Sequence, residues 1–333
     1  MKKIFSLCFI FVLLISTIII MPGCNDDKKI RINEVTHSIF YAPLYVAINN
    51  GYFEEDGYDI ELTNGGGSDA SMTALLSGSA DIALMGPETN VYVVAQGSTA
   101  PVIFGQLTKR DGSFLVGRVE EPNFDWSNLD GKYFIAGRRG GSPAMSLQYA
   151  LTQNGYDINT DLTFDLDVSF NNTVAAFEGG IGDYVTMFEP TASEYVANGK
   201  GYIVASVGEE SGEIPFTCFS ANRDYINENP EIIQMFLKNI MKAYNFIITN
   251  YNNNNMSVVV DSLVPSFNGS SRASIETAIR NYVRIDAWVS NPAMEQSAFN
   301  RLLDMLDFAG ELEARVEMSS VVDNTYANNV ITN

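Results

Sequence analysis

Histidine is almost missing from this chain: His37 stands alone among 333 residues. Zinc sites of the usual spacing and Ser-His-Asp chemistry both need histidine in company, so neither is expected. Cysteine is nearly as scarce. Cys8 and Cys24 fall near the start, which leaves Cys218 as the one thiol of the body. One thiol makes no internal disulfide and no cysteine-based metal site, and within "PFTCFSAN" it reads as buried and inert. Positive charge is also short, 20 Lys and Arg against 40 Asp and Glu, for a formal net of −20. Phosphate backbones are held by basic patches, so nucleic acid is excluded as a partner. No metal and no cofactor is expected.

Lys2 and Lys3 open the chain, Ile4 to Met21 is almost wholly apolar, and "MPGC" puts a small residue before Cys24. That pattern resembles the lipobox of bacterial lipoproteins. Residues 1–23 are then a signal peptide, Cys24 carries the lipid (a palmitate-type acyl chain), and residues 24–29 are a tether. The apolar run is also nearly long enough for a plain transmembrane anchor, the alternative at this point. No second run of spanning length follows, so the body is expected to be soluble and held at the extracytoplasmic face of the cell membrane. Without the two lysines its formal charge is −22, which suits the solubility of an exported protein.

About 300 residues exceed one comfortable core, so two lobes are expected. From Arg31 the chain alternates strand and helix. "RINEV" and "YDIELTN" read as strands, with a short helix between them that carries Pro43 in its first turn and stops at Gly51. "GGGSDASMTALLSG" is a turn and helix with Ser68 as N-cap, "ADIALMG" a strand, and "PETNVYVVAQG" a helix opened by Pro87. "VIFGQL" and, further on, "LTFDLDVS" are strands, and "NYNNNN" is a surface loop. This alternation predicts parallel sheets with right-handed crossovers. One phrase occurs twice. "GSADIALMGPE" and "GIGDYVTMFEP" align Gly78 with Gly180, Asp81 with Asp183 and Met85 with Met187, each pair 102 residues apart. Helix, glycine, aspartate and strand also recur by chance in α/β chains, but the match fits one unit used in both lobes.

"THSIFYAPLYVAINNGYFEEDGYDIEL", "ALLSGSADIALMG", "KRDGSFLVGR" and "GDYVTMFEPTA" together resemble the substrate-binding lipoproteins of ABC importers. The branch is the one serving thiamine pyrimidine precursors, alkanesulfonates, taurine and nitrate. The resemblance implies an α/β, two-lobe periplasmic-binding-protein fold of type II, each lobe a mostly parallel sheet flanked by helices. Two crossing strands would join the lobes, near Asp111 to Arg118 and near Pro215 to Asn222. Lobe one is then 30–113 plus 218–333, and lobe two is 114–217. The implied role is not enzymatic. A monomer captures a small-molecule ligand in the cleft and delivers it to the ABC permease and its ATPase. A sensory surface lipoprotein is a rival reading. A thiamine pyrimidine synthase shares the fold, but it uses histidine and a cysteine-rich motif that this chain lacks.

In open parallel sheets ligands sit beyond the carboxyl ends of the strands. From lobe one that rule selects Thr36, His37, Phe40, Tyr41, Gly66, Gly67, Asp69, Gly86, Glu88 and Gln106. From lobe two it selects Arg138, Gly141, Ser142, Asn171, Phe188 and Glu189. The glycine turns before Ser68 and Ser142 either offer amides to an anion or are tight turns and nothing more. His37 either packs on the aromatics or donates to ligand. Glu189 is the sharpest expectation. A carboxylate at the cleft end of a buried strand needs a partner, and the exocyclic amine of a planar nitrogen heterocycle stacked on Phe40 or Tyr41 would be one. Alkanesulfonate, taurine or nitrate, which call for amides and arginine, are the alternative cargo.

Overall fold

The computed structural model describes residues 28–330, so the signal, Cys24 and most of the tether lie outside the described residues. Two five-stranded sheets organise the chain. The first holds β1 (Lys29–Glu34), β2 (Asp59–Asn64), β3 (Ile82–Met85), β4 (Val102–Thr108) and β10 (Thr217–Ala221), in the order β2-β1-β3-β10-β4. The second holds β5 (Ser113–Gly117), β6 (Tyr133–Ile135), β7 (Thr163–Asp165), β8 (Tyr184–Phe188) and β9 (Tyr202–Ser206), in the order β7-β6-β8-β5-β9. In each sheet the fourth strand is antiparallel to both neighbours, β10 in the first and β5 in the second, while the pairs β1–β2, β1–β3, β6–β7 and β6–β8 are parallel. Those two odd strands are the ones entered directly after the chain crosses between lobes. The mostly parallel two-lobe architecture is therefore present.

The repeated phrase has a structural reason. Asp81 donates its backbone N–H to the carbonyl of Arg31 at 2.8 Å and accepts the Arg31 N–H on its carboxylate at 2.8 Å. Asp183 does the same with Tyr133, at 2.8 and 2.9 Å. Each aspartate thus clips the entry of its sheet's central strand, β3 or β8, to the parallel neighbour β1 or β6. Gly78 and Gly180, at φ 72° and 95°, take the left-handed backbone needed to turn off the preceding helix.

Two local expectations are corrected. Ser68 is the first residue of the helix Ser68–Leu76, with Gly67 at the cap position. Its hydroxyl instead accepts the N–H of Gly86 at 3.1 Å, tying two strand-end loops together. The strand read over "LTFDLDVS" is only Thr163–Asp165, an edge strand that bends away where Asp165 caps the turn to Asp167 at 2.9 Å. Behind the sheets, Phe104, Phe219 and Phe236 form a buried stack with Leu237 from the helix Pro230–Asn252. That helix is amphipathic, and no helix among the described residues is long and apolar enough to cross a membrane. Cys218 is fully buried on β10, its thiol pushed well up by burial, as an inert core thiol should be.

The crossings lie side by side. Ile214 donates its N–H to the carbonyl of Lys109 at 3.0 Å and Phe216 donates to that of Thr108 at 3.1 Å. The hydroxyls of Thr108 and Thr217 meet at 2.5 Å.

Candidate functional site

The carboxyl ends of both sheets face one another, and the lobes are closed so tightly that a cavity of only about 50 Å³ stays free between them. Lobe one supplies Val35 and Thr36 after β1, Tyr41, the Gly67-Ser68 helix start, and Gly86 with Glu88 after β3. Lobe two supplies Ala136 to Arg138 after β6, Gly141 to Ala144 at the start of the helix Ser142–Gln153, Phe170, and Phe188 at the end of β8. Phe216 and Thr217, on the returning crossing, complete the lining.

Glu88 is the chemical centre of this cavity. It follows Pro87 at the start of the helix Glu88–Ala95 and is only 1% exposed. Across the cleft Ser142 donates its hydroxyl to Glu88 Oε2 at 2.8 Å. Burial pushes the Glu88 carboxyl up from its ordinary range, and Ser142 and the Arg138 charge oppose that push. A side chain at Gly86 would collide with this carboxylate, since a Cβ there would lie 2.0 Å from Oε2. Around it stand Tyr41, Phe170, Phe188 and Phe216. Burial, with Glu34, Glu88 and Asp111 adding to it, keeps the Tyr41 phenol neutral.

Further contacts hold the lobes shut. Arg138 pairs with Asp69 at 2.6 Å, and Tyr92 donates its hydroxyl to the carbonyl of Gly140 at 2.9 Å. Asn171 packs against Gly66, whose φ of 77° and close approach leave no room for a side chain. Asp69, Gly66 and Asn171 thus belong to the closure rather than to the cavity wall.

Thr36, Tyr41, Gly67, Gly86, Glu88, Arg138, Gly141, Ser142 and Phe188 come together around the cavity. Four other residues go elsewhere. Phe40 is fully buried among Tyr41, Phe188, Phe216 and Tyr282 and is core. Gln106 is buried on β4, where its backbone N–H meets the Pro292 carbonyl at 2.7 Å and its amide donates to Thr108 at 3.0 Å. Glu189 does not read a ligand amine, because its carboxylate already accepts the Ser193 N–H and hydroxyl at 2.9 and 2.7 Å and the Asn281 amide at 2.7 Å. Its own carbonyl accepts the Ser38 hydroxyl at 2.6 Å, so it fastens lobe two to lobe one. Phe170 and Phe216 also line the cavity, though neither lies just beyond the carboxyl end of a strand. The signal for Phe216 was the crossing strand itself, which must run past the cleft.

His37 sits outside the cavity, stacked on Phe267 at 4.6 Å. Its Nδ1 faces Glu34 Oε1 at 2.8 Å and its Nε2 faces the Ser266 carbonyl at 2.9 Å. A carboxylate and a carbonyl facing the two ring nitrogens favour the doubly protonated, cationic ring. Its pKa is raised, first by Glu34, against a desolvation that lowers it. A raised folded pKa contributes stability that is full below the unfolded value of about 6.5 and fades as pH climbs through the folded value. His37→Asn should therefore lower the melting temperature more at pH 5.5 than at pH 8.5. An equal loss at both pH values would show that the ring is not charged.

A model of the NMT1-like family matches residues 35–262. The Bacillus subtilis (strain 168) protein named "Putative binding protein YtlA" is 39% identical over 314 residues, covering 93% of either chain. Among solved structures, the alkanesulfonate-binding protein SsuA from Xanthomonas axonopodis pv. citri, bound to MOPS, superposes with a TM-score of 0.71 at 18% identity over 89% of this chain and 98% of its own. The nitrate-binding protein NrtA from Synechocystis PCC 6803 gives 0.71 at 16% identity over 91% of this chain and 88% of its own. The motifs, the sheet order and these likenesses agree: the chain belongs to the NMT1-like family and is built on the two-lobed periplasmic-binding-protein fold.

Proposed function

We propose that this protein is the extracytoplasmic substrate-binding component of an ABC importer. In this reading it works as a monomer, tethered through a lipid on Cys24, with lobe one as 30–113 plus 218–333 and lobe two as 114–217. It captures a small planar nitrogen heterocycle bearing an amine, such as a thiamine pyrimidine precursor, and presents it to the permease and its ATPase. The observation that carries the cargo is Glu88, a buried carboxylate on a closing cleft, ringed by four aromatic side chains and bonded by a single serine hydroxyl. A carboxylate so placed is matched by a cationic or amine-bearing group that brings its own donors, while the rings stack on a flat face. Arg138 at the cavity and the amides of the two glycine turns favour a second reading, a small sulfonate or nitrate. Arg138 is already paired with Asp69, which weakens it.

Titration calorimetry with aminopyrimidines, taurine and nitrate separates the two. Binding of an aminopyrimidine alone supports the heterocycle. Binding of taurine or nitrate with failure of every pyrimidine overturns it and leaves the anion reading. Native mass spectrometry of the protein purified from its own cells gives the mass of whatever it carries.

A further inference from the structure

The connection between β4 and β5 is four residues long, Lys109 to Gly112, and it carries a fully buried carboxylate, Asp111. One oxygen accepts the N–H of Ser113 at 2.6 Å. The other has no hydrogen-bond partner, and the Ser113 hydroxyl is buried without one too. The segment is gripped by both lobes. A Cβ at Gly208, from lobe two, would lie 2.0 Å from the Asp111 carbonyl, and one at Gly112 would lie 2.5 Å from the Phe40 ring of lobe one. Above it the two lobes meet again, with the Ser146 hydroxyl 4.0 Å from the Met305 sulfur and Tyr149 edge-on to Phe308.

Most of the charge around this acid is spent elsewhere, although Arg110 Nε is buried without a partner. Lys109 pairs with Asp286 at 2.6 Å and Arg110 with Glu213 at 3.0 Å. On the neighbouring helix Val207–Ser211, Glu209 pairs with Arg284, and Glu210 accepts from Asn154 at 2.6 Å. On the helix Gln296–Phe308, Arg301 donates to the Glu213 carbonyl at 2.9 Å and Asp304 pairs with Arg315. Tyr41, which feels the Asp111 charge, is a phenol. No cation offsets Asp111, and burial pushes its carboxyl up to about 7, with Ser113 and Ser146 only partly opposing.

We propose that Asp111 makes the hinge proton-linked, holding a proton while the lobes are closed and releasing it to water as they part. The proposal rests on the two-lobe closing motion of the function above but not on the identity of the cargo. On closing, one proton passes from solvent to the unpartnered oxygen, whose new O–H can donate to a neighbouring serine hydroxyl; on opening it returns. The sign follows from linkage. The closed-state carboxyl titrates near 7 and a hydrated one near 3.8. Closure is therefore favoured fully below the lower value, weakens about tenfold per pH unit between the two, and levels off above about 7.

The test uses the protein with spin labels on cysteines placed at Thr160 and Lys238, exposed positions on the two lobes, and no added ligand. The ratio of short to long interlabel distances should fall steeply from pH 4.5 to pH 7 and then flatten. In Asp111→Asn the fall should vanish. A carbon-13 carboxyl titration of the unsubstituted protein, which does not depend on that variant folding, should place the Asp111 midpoint near 7. A midpoint near 4, a distance ratio indifferent to pH, or an unchanged slope in Asp111→Asn each overturns the proposal. Failure of all pyrimidines in calorimetry would leave it untouched.

Discussion

Glu88→Gln should weaken binding of an aminopyrimidine by roughly 10- to 100-fold, the equivalent of losing about 1.5–3 kcal/mol from one charged hydrogen bond. The substitution keeps the size of the side chain and leaves an oxygen for Ser142. What it removes is the charge, and one of the two acceptors a ligand amine would meet. Because Glu88 is buried, water does little to replace the lost interaction. Calorimetry on both proteins reads the change directly, and equal affinities would end the role given to Glu88. Glu189→Gln is the natural contrast. Its carboxylate is bonded to Ser193 and Asn281, so it should cost stability, on the order of 1–3 kcal/mol, and leave the selectivity among ligands alone.

That contrast shows how much of the site could be read from residues in order. The rule that ligands gather beyond the carboxyl ends of strands found both glutamates, because both follow a strand at a helix start. It could not tell which one faces the cavity. Glu189 lies four residues from Ser193, so its own helix supplies donors that draw the carboxylate back onto the chain. Glu88 has a valine, Val91, and a tyrosine, Tyr92, a turn ahead of it, and its nearest side-chain donor is Ser142 from the other lobe. A contact between residues 54 apart in sequence, from different lobes, has no local signature.

The fold was more legible, since it rests on local periodicity and on one repeated phrase. The repeated phrase alone pairs Asp81 with Asp183, and the structure gives them one job in two places. The resemblance puts the two crossings near Asp111 to Arg118 and near Pro215 to Asn222, the stretches that hold β5 (Ser113–Gly117) and β10 (Thr217–Ala221). What periodicity could not supply was side-chain direction in the short segments. Ser68 stands where an N-cap would, one residue late, and its hydroxyl serves another loop. His37, just past β1, turns its ring toward Ser266, far away in sequence, while Gln106 folds its side-chain amide back onto the Thr108 carbonyl of its own strand.

Phe40→Ala should cost about 3–5 kcal/mol of stability, the largest loss expected from any single side chain discussed above. Its ring is fully buried and contacts Tyr41, Phe188, Phe216 and Tyr282 at centroid distances of 5.0 to 5.8 Å. Those neighbours come from both lobes and from the returning crossing, and Gly112 on the outgoing crossing lies against the same ring. Its backbone carbonyl accepts the Trp288 indole N–H at 2.8 Å, which fixes the segment that also presents Tyr41 to the cavity. Truncation leaves a hole that these rings cannot fill without moving the crossings, so collapse of the site should be incomplete. Phe40→Leu keeps most of the volume and should recover much of the loss. Tyr41→Ala, by contrast, removes a wall of the cavity and should weaken ligand binding. Denaturant unfolding and calorimetry on the three variants give both quantities. If Phe40→Ala unfolds within 1 kcal/mol of the parent, the aromatic knot does not bind the lobes to the hinge, and Phe40 returns to the cavity wall beside Tyr41.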